Sequence, residues 1–103
     1  GNVIHHIGRT GPEDHFQLDH GIYPCADYIT ITNNLIYEVR GFGIGGGAYG
    51  HTNDLLISNN TFVWPPNPPG AWRSPIVVTP CPKCVNGEVT ENPELDNLTI
   101  QNN

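Results

Sequence analysis

The chain has 103 residues, enough for one domain with one core and too few for a second. Ten acidic residues against four basic ones give a net charge of -6, which disfavours partners held by phosphate neutralisation, so no nucleic acid is expected as a ligand. Twelve Gly, ten Pro and no Met argue against a helical protein, while recurring Ile, Leu and Val argue against disorder.

No window holds the roughly 18 uninterrupted apolar residues of a membrane span. The first residues lack the basic and apolar regions of a secretion signal, so a secreted form would already have lost it. In chain order, the first apolar segment is Asn2-Val3-Ile4, followed by an insertion near 8–19 and then Gly21-Ile22-Tyr23. The next stretch, Asp27-Tyr28-Ile29-Thr30-Ile31-Thr32-Asn33-Asn34, sets a pattern that returns twice without gaps. Its copies are Asn53-Asp54-Leu55-Leu56-Ile57-Ser58-Asn59-Asn60 and Asp96-Asn97-Leu98-Thr99-Ile100-Gln101-Asn102-Asn103.

The flanking segments repeat too. Asn34-Leu35-Ile36 and Asn60-Thr61-Phe62 echo Asn2-Val3-Ile4, and Gly43-Ile44-Gly45 and Pro75-Ile76-Val77 echo Gly21-Ile22-Tyr23. The repeat unit is therefore several short strands joined by loops of unequal length, with further insertions near 64–74 and 80–96. Strand alternation turns Ile29, Ile31, Leu55, Ile57, Leu98 and Ile100 into one core. It stacks Ile22, Ile44 and Ile76 in a second column and Ile4, Ile36 and Phe62 in a third. The Asn pairs suit sharp turns and a hydrogen-bonded ladder between repeats. Asn59 and Asn97 also match the N-glycosylation pattern, with Asn97, just ahead of a strand, the better acceptor.

These repeats, above all Ile-Thr-Ile-Thr-Asn-Asn-Leu-Ile-Tyr followed by Arg40-Gly41-Phe42-Gly43-Ile44, resemble the right-handed parallel β-helix of the pectate-lyase-like superfamily. The resemblance implies an all-β solenoid of about three to four coils spanning 1–103, extracellular or at the cell surface. No cap over the coil ends is visible in the sequence, so the chain is expected either to be an excerpt of a longer stack or to associate end to end. The resemblance is specific for fold and not for reaction, because lyases, hydrolases, epimerases and non-catalytic fibres share the repeat.

The implied partner is a polysaccharide, bound and in an enzyme cleaved, with the non-catalytic solenoid of a surface fibre, filament or tailspike as the alternative. Complete catalytic motifs of the polygalacturonases and pectate lyases are absent. Asp14 and Asp19 are the carboxylate candidates of a hydrolase, with His15 and His20 beside them for acid-base work. Arg40 and Arg73 are the candidate bases of a lyase, for which calcium would neutralise a uronate carboxylate. Tyr23, Tyr49, Trp72 and His51 are candidate substrate contacts, the aromatic rings as stacking platforms for sugars. Trp64 reads better as clamping the Pro-rich segment onto the wall.

Gly45-Gly46-Gly47 follows a strand but lacks the Lys and Ser/Thr of a phosphate loop, so it reads as a bare patch that lets a ligand or a loop approach closely. Three readings stay open for Cys25, Cys81 and Cys84: a disulfide, a zinc site completed by His51 or His20, and unpaired thiols.

Overall fold

The computed structural model describes residues 1–8, 18–46, 53–64, 73–79, 83–85, 88–91 and 96–103. These form eleven short strands and no α-helix: β1 (Val3–Ile7), β2 (His20–Ile22), β3 (Thr30–Thr32), β4 (Leu35–Val39), β5 (Phe42–Gly46), β6 (Leu56–Ser58), β7 (Thr61–Val63), β8 (Ser74–Val78), β9 (Lys83–Val85), β10 (Glu88–Glu91) and β11 (Thr99–Gln101). Three parallel sheets have the orders β1-β4-β7, β2-β5-β8 and β3-β6-β11. The chain visits them in strict rotation, first, second, third and first again.

The register joins equivalent positions of the repeat. Ile4 pairs with Ile36 and Ile36 with Phe62, Ile22 with Ile44 and Ile44 with Ile76, and Ile31 and Ile100 both pair with Ile57. The expected columns therefore exist. Their centre is the core of Ile31, Ile36, Val39, Ile44, Leu55 and Ile57, against which Ile4, Ile22, Ile29, Phe62, Trp64 and Ile76 pack. Each fully buried Ile or Leu contributes about 1.5–3 kcal/mol. Leu98 and Ile100 depart from the expectation, being 36% and 47% exposed. They share the inward parity of the buried copies, but among the described residues β11 pairs on one side only, with β6.

The corners explain how short strands turn while keeping register. All eight non-glycine residues with positive φ among the described residues fall at three repeat positions. One column is His6 (φ 54) and Glu38 (φ 52); the second is Tyr28 (60), Asp54 (55) and Asn97 (56); the third is Asn33 (59), Asn59 (55) and Asn102 (51). Left-handed backbone costs an L-residue about 1–2 kcal/mol and is tolerated best by Asn and Asp, which supply five of the eight.

Beside the third corner runs the asparagine ladder, across sequence separations of 32, 26 and 43 residues. Asn34 Oδ1 accepts from the backbone N and Nδ2 of Asn2 (3.0 and 3.1 Å). Asn60 Oδ1 accepts the same pair from Asn34 (3.1 and 2.9 Å), and Asn103 Oδ1 from Asn60 (3.0 and 2.9 Å). Asn60, 2% exposed, also donates from Nδ2 to the carbonyls of Ile31 and Ser58. A shorter ladder follows Asp27, Asn53 and Asp96 beside the second corner, with Asn53 N donating to Asp27 Oδ1 (2.7 Å) and Asp96 N to Asn53 Oδ1 (3.1 Å).

The insertion near 80–96 is not wholly loop, because β9 and β10 pair antiparallel with Glu88 opposite Val85. The two intervening residues in the sequence are Asn86-Gly87, the dipeptide that most favours a two-residue hairpin connection.

Replacing the two residues of one Asn pair separately should give opposite results. Asn60→Ala strands buried donors and acceptors and is expected to lose about 3 kcal/mol in urea unfolding. Asn59→Gly, at an exposed left-handed corner, is expected to change stability by less than about 0.5 kcal/mol. Equal losses would mean that turn conformation and not the ladder sets the requirement for Asn.

Candidate functional site

The start of sheet β2-β5-β8 gathers the chemistry. His20 pairs with Phe42 and Phe42 with Ser74, so the residues immediately before them, Asp19, Gly41 and Arg73, occupy one further row. Phe42 N donates to the Asp19 carbonyl (3.0 Å), which holds that row in line. Gly41, in the middle position, is buried. Arg40, after β4, belongs to the β1-β4 side, where its N donates to the Ile7 carbonyl (2.8 Å) and its side chain lies over Gly8.

His20 is the centre of the group. Its ring stacks on Phe42 (centroids 5.6 Å, 23°) and leans on Tyr23 (4.8 Å, 32°). A Cβ on Gly45 would lie 2.8 Å from its Cε1 and nearer still to Nδ1, so β5 carries Gly where the ring must lie flat. One residue on, a Cβ at Gly46 would meet Pro24 Cγ at 2.6 Å. The bare patch read from the sequence is therefore filled, at these two positions, by His20 and Pro24 of the preceding repeat.

Burial pushes the His20 imidazole below its ordinary value of 6.5, and the neighbouring Asp19 carboxylate opposes that shift in part. Nδ1 is buried without a hydrogen-bond partner among the described residues. At neutral pH the ring is therefore uncharged, able to accept or relay a proton. Asp19 is 6% exposed and Tyr23 40%, so a shielded carboxylate and an accessible phenol flank the imidazole.

Of the candidates from sequence, Asp19, His20, Tyr23 and Arg73 lie in or beside the β2-β5-β8 sheet, whereas the Arg40 side chain lies over Gly8, after β1. Asp14, His15, Tyr49, His51, Trp72 and Cys81 lie outside the described residues, and so does the side chain of Cys84, whose backbone belongs to β9. Cys25 is exposed after β2, and its pairing with Cys81 or Cys84 rests on those same undescribed groups. Trp64 packs against the core, and the Pro-rich segment it was expected to clamp lies outside the described residues. Asn97 is exposed, with Nδ2 donating to Asp54 Oδ1 (2.9 Å).

A second cluster was not foreseen. On the outer face of β1 and β4, His5, His6 and Glu38 place one ligand-type atom each within 4.8 Å of the others. The His5-His6 dipeptide was the available signal, but strict alternation sends neighbouring residues to opposite faces, which hid it.

No protein-family model, no curated protein and no solved structure matches the chain. Among the described residues, no helix is long and apolar enough to cross a membrane.

The lowered proton affinity of His20 has a defined effect on stability. The folded state binds this proton less readily than the unfolded state, so the contribution of neutral His20 is fully present above pH 6.5 and is lost as pH falls through the lower folded-state value. Melting temperature should therefore decline below pH 6.5, with Asp19 and Tyr23 the ionisable neighbours in contact. His20→Gln should remove that part of the decline, and identical pH profiles for both proteins would show that His20 does not titrate as described.

Proposed function

We propose that the three sheets are the walls of a right-handed parallel β-helix, and that this extracellular protein holds a polysaccharide against the His20 edge of the second wall. Rotation of the chain through the sheets is the topology that three-walled coils require. Each strand returns to its own sheet by a parallel crossover, and such crossovers are right-handed in nearly all proteins. The pectate-lyase-like grammar of the sequence supports the same reading.

One observation carries the function: the His20 imidazole contacts the rings of Phe42 and exposed Tyr23, next to buried Asp19 and in the sheet that Arg73 enters. A sugar ring needs a flat apolar surface and polar groups at its rim, and this edge offers both. Arg73, just ahead of β8, gives this sheet a cation in a chain whose net charge is -6, which favours an acidic glycan. Asp19 with His20 supplies an acid-base pair for cleavage, and an arginine the proton acceptor of a lyase.

The structural-fibre reading has its own support in β11, an edge strand whose Ile100 is 47% exposed. Stacking on a further coil would bury it.

Pectic, alginate-type and neutral polysaccharides, each with and without calcium, separate these readings when binding, new reducing ends and unsaturated-uronate absorbance are followed together. Saturable binding to an acidic glycan is expected, weakened roughly tenfold by Tyr23→Ala through lost stacking. Absorbance with the new ends marks a lyase, and ends alone a hydrolase. No binding to any glycan, with concentration-dependent assembly in sedimentation, would replace the carbohydrate reading with the fibre.

A further inference from the structure

The outer face of β1 and β4 carries a donor set that the carbohydrate reading does not use. Ile4 and Ile7 on β1, like Ile36 and Val39 on β4, turn toward the core, and two residues separate each pair. A regular strand cannot turn both of those residues outward. The left-handed corner at His6 and Glu38 allows it, so the adjacent residues His5 and His6 are both exposed on one side, over Tyr37 and Glu38.

Three contacts fix the arrangement. His6 Nε2 lies 2.8 Å from Glu38 Oε2. His5 Nδ1 and His6 Nδ1 are in hydrogen-bond contact. The His5 ring stacks on Tyr37, its register partner, with centroids 4.9 Å apart and planes within 2°. The imidazoles are thus oriented by protein contacts, with His6 turning Nδ1 to His5 and Nε2 to Glu38, and one ligand-type atom from each of the three residues lies within 4.8 Å of the others.

We propose that His5, His6 and Glu38 form a binding site for a divalent transition-metal ion of the zinc type, which ties β1 to β4. Two imidazole nitrogens and one carboxylate oxygen suit zinc and its first-row neighbours, whereas calcium and magnesium require a shell of oxygens. Ligand atoms around tetrahedral zinc stand about 3.3 Å apart. With the donor atoms already within 4.8 Å of one another, reaching that spacing needs only rotation of exposed side chains. Three protein ligands leave the fourth position to water or to an exogenous ligand. The ion would replace the contact between His6 and Glu38, and its ligands, distant in sequence, would be linked across two neighbouring strands.

Titration calorimetry of the full, untagged chain with zinc, calcium and magnesium chlorides tests the site. One zinc per chain is expected, with a melting temperature raised by roughly 10 °C at a hundredfold excess over the dissociation constant. Calcium and magnesium should give no saturable heat. His6→Asn, chosen because Asn accepts the left-handed backbone, and Glu38→Gln should each weaken zinc binding more than about tenfold while leaving the circular dichroism unchanged. Cobalt in place of zinc should give d–d bands without thiolate charge transfer. Absence of saturable zinc binding, unaltered affinity in both variants, or a thiolate band placing the metal at the cysteines would each overturn the proposal.

Discussion

A buried side-chain amide that must find all its partners in the neighbouring repeats is the constraint on which the rest of this structure depends. Asn34 and Asn60 are 6% and 2% exposed, and an amide in that position is costly unless its donors and acceptor are used. Each Oδ1 takes two hydrogen bonds from the preceding asparagine, one from its backbone and one from its side chain. A slip of one residue would break both and turn the apolar columns outward at the same time. Register is therefore set twice, once by burial and once by the ladder. That redundancy lets the intervening loops differ in length, with ladder partners 26 residues apart in one step and 43 in another.

The corners serve the ladder and also create the surface. The left-handed Asn33 and Asn59 beside Asn34 and Asn60 let the strand end abruptly, so the next begins in a new sheet after two residues. The same device at His6 and Glu38 interrupts alternation inside β1 and β4 and exposes two successive side chains. Outward chemistry at that face follows from corner geometry. At the second sheet the corresponding freedom comes from a missing side chain, because Gly45 admits the His20 ring.

Stacked identity was legible in the sequence because it repeats in one dimension. Ile22, Ile44 and Ile76, or Asn34, Asn60 and Asn103, align by inspection, and the sheets join those same residues. Exposure of Leu98 and Ile100 was not legible, since their local sequence matches the buried copies and only position at the edge of a sheet separates them. The hairpin β9-β10 was hidden for another reason: it interrupts the repeat, although Asn86-Gly87 announces it. At the site, chain proximity pointed to Asp19 and His20, but the stacking of His20 on Phe42 depends on register across two repeats. His5 and His6 escaped notice because alternation, the rule that found the core, fails at a left-handed corner.

Both clusters lie across the boundary between the first and second repeats, one on the β2-β5 pair and the other on β1-β4. Neither can be built from a single repeat: His20 needs Phe42 and Gly45, and His5 needs Tyr37. The hydrogen bonds from Asn2 to Asn34 hold these same two repeats together. A ligand that binds either cluster only when the repeats are stacked must, by linkage, stabilise the stack, and loosening the ladder must weaken the ligand by the same free energy. Site and scaffold in this protein are thus coupled through one boundary, where buried amides set the positions of side chains that contact solvent.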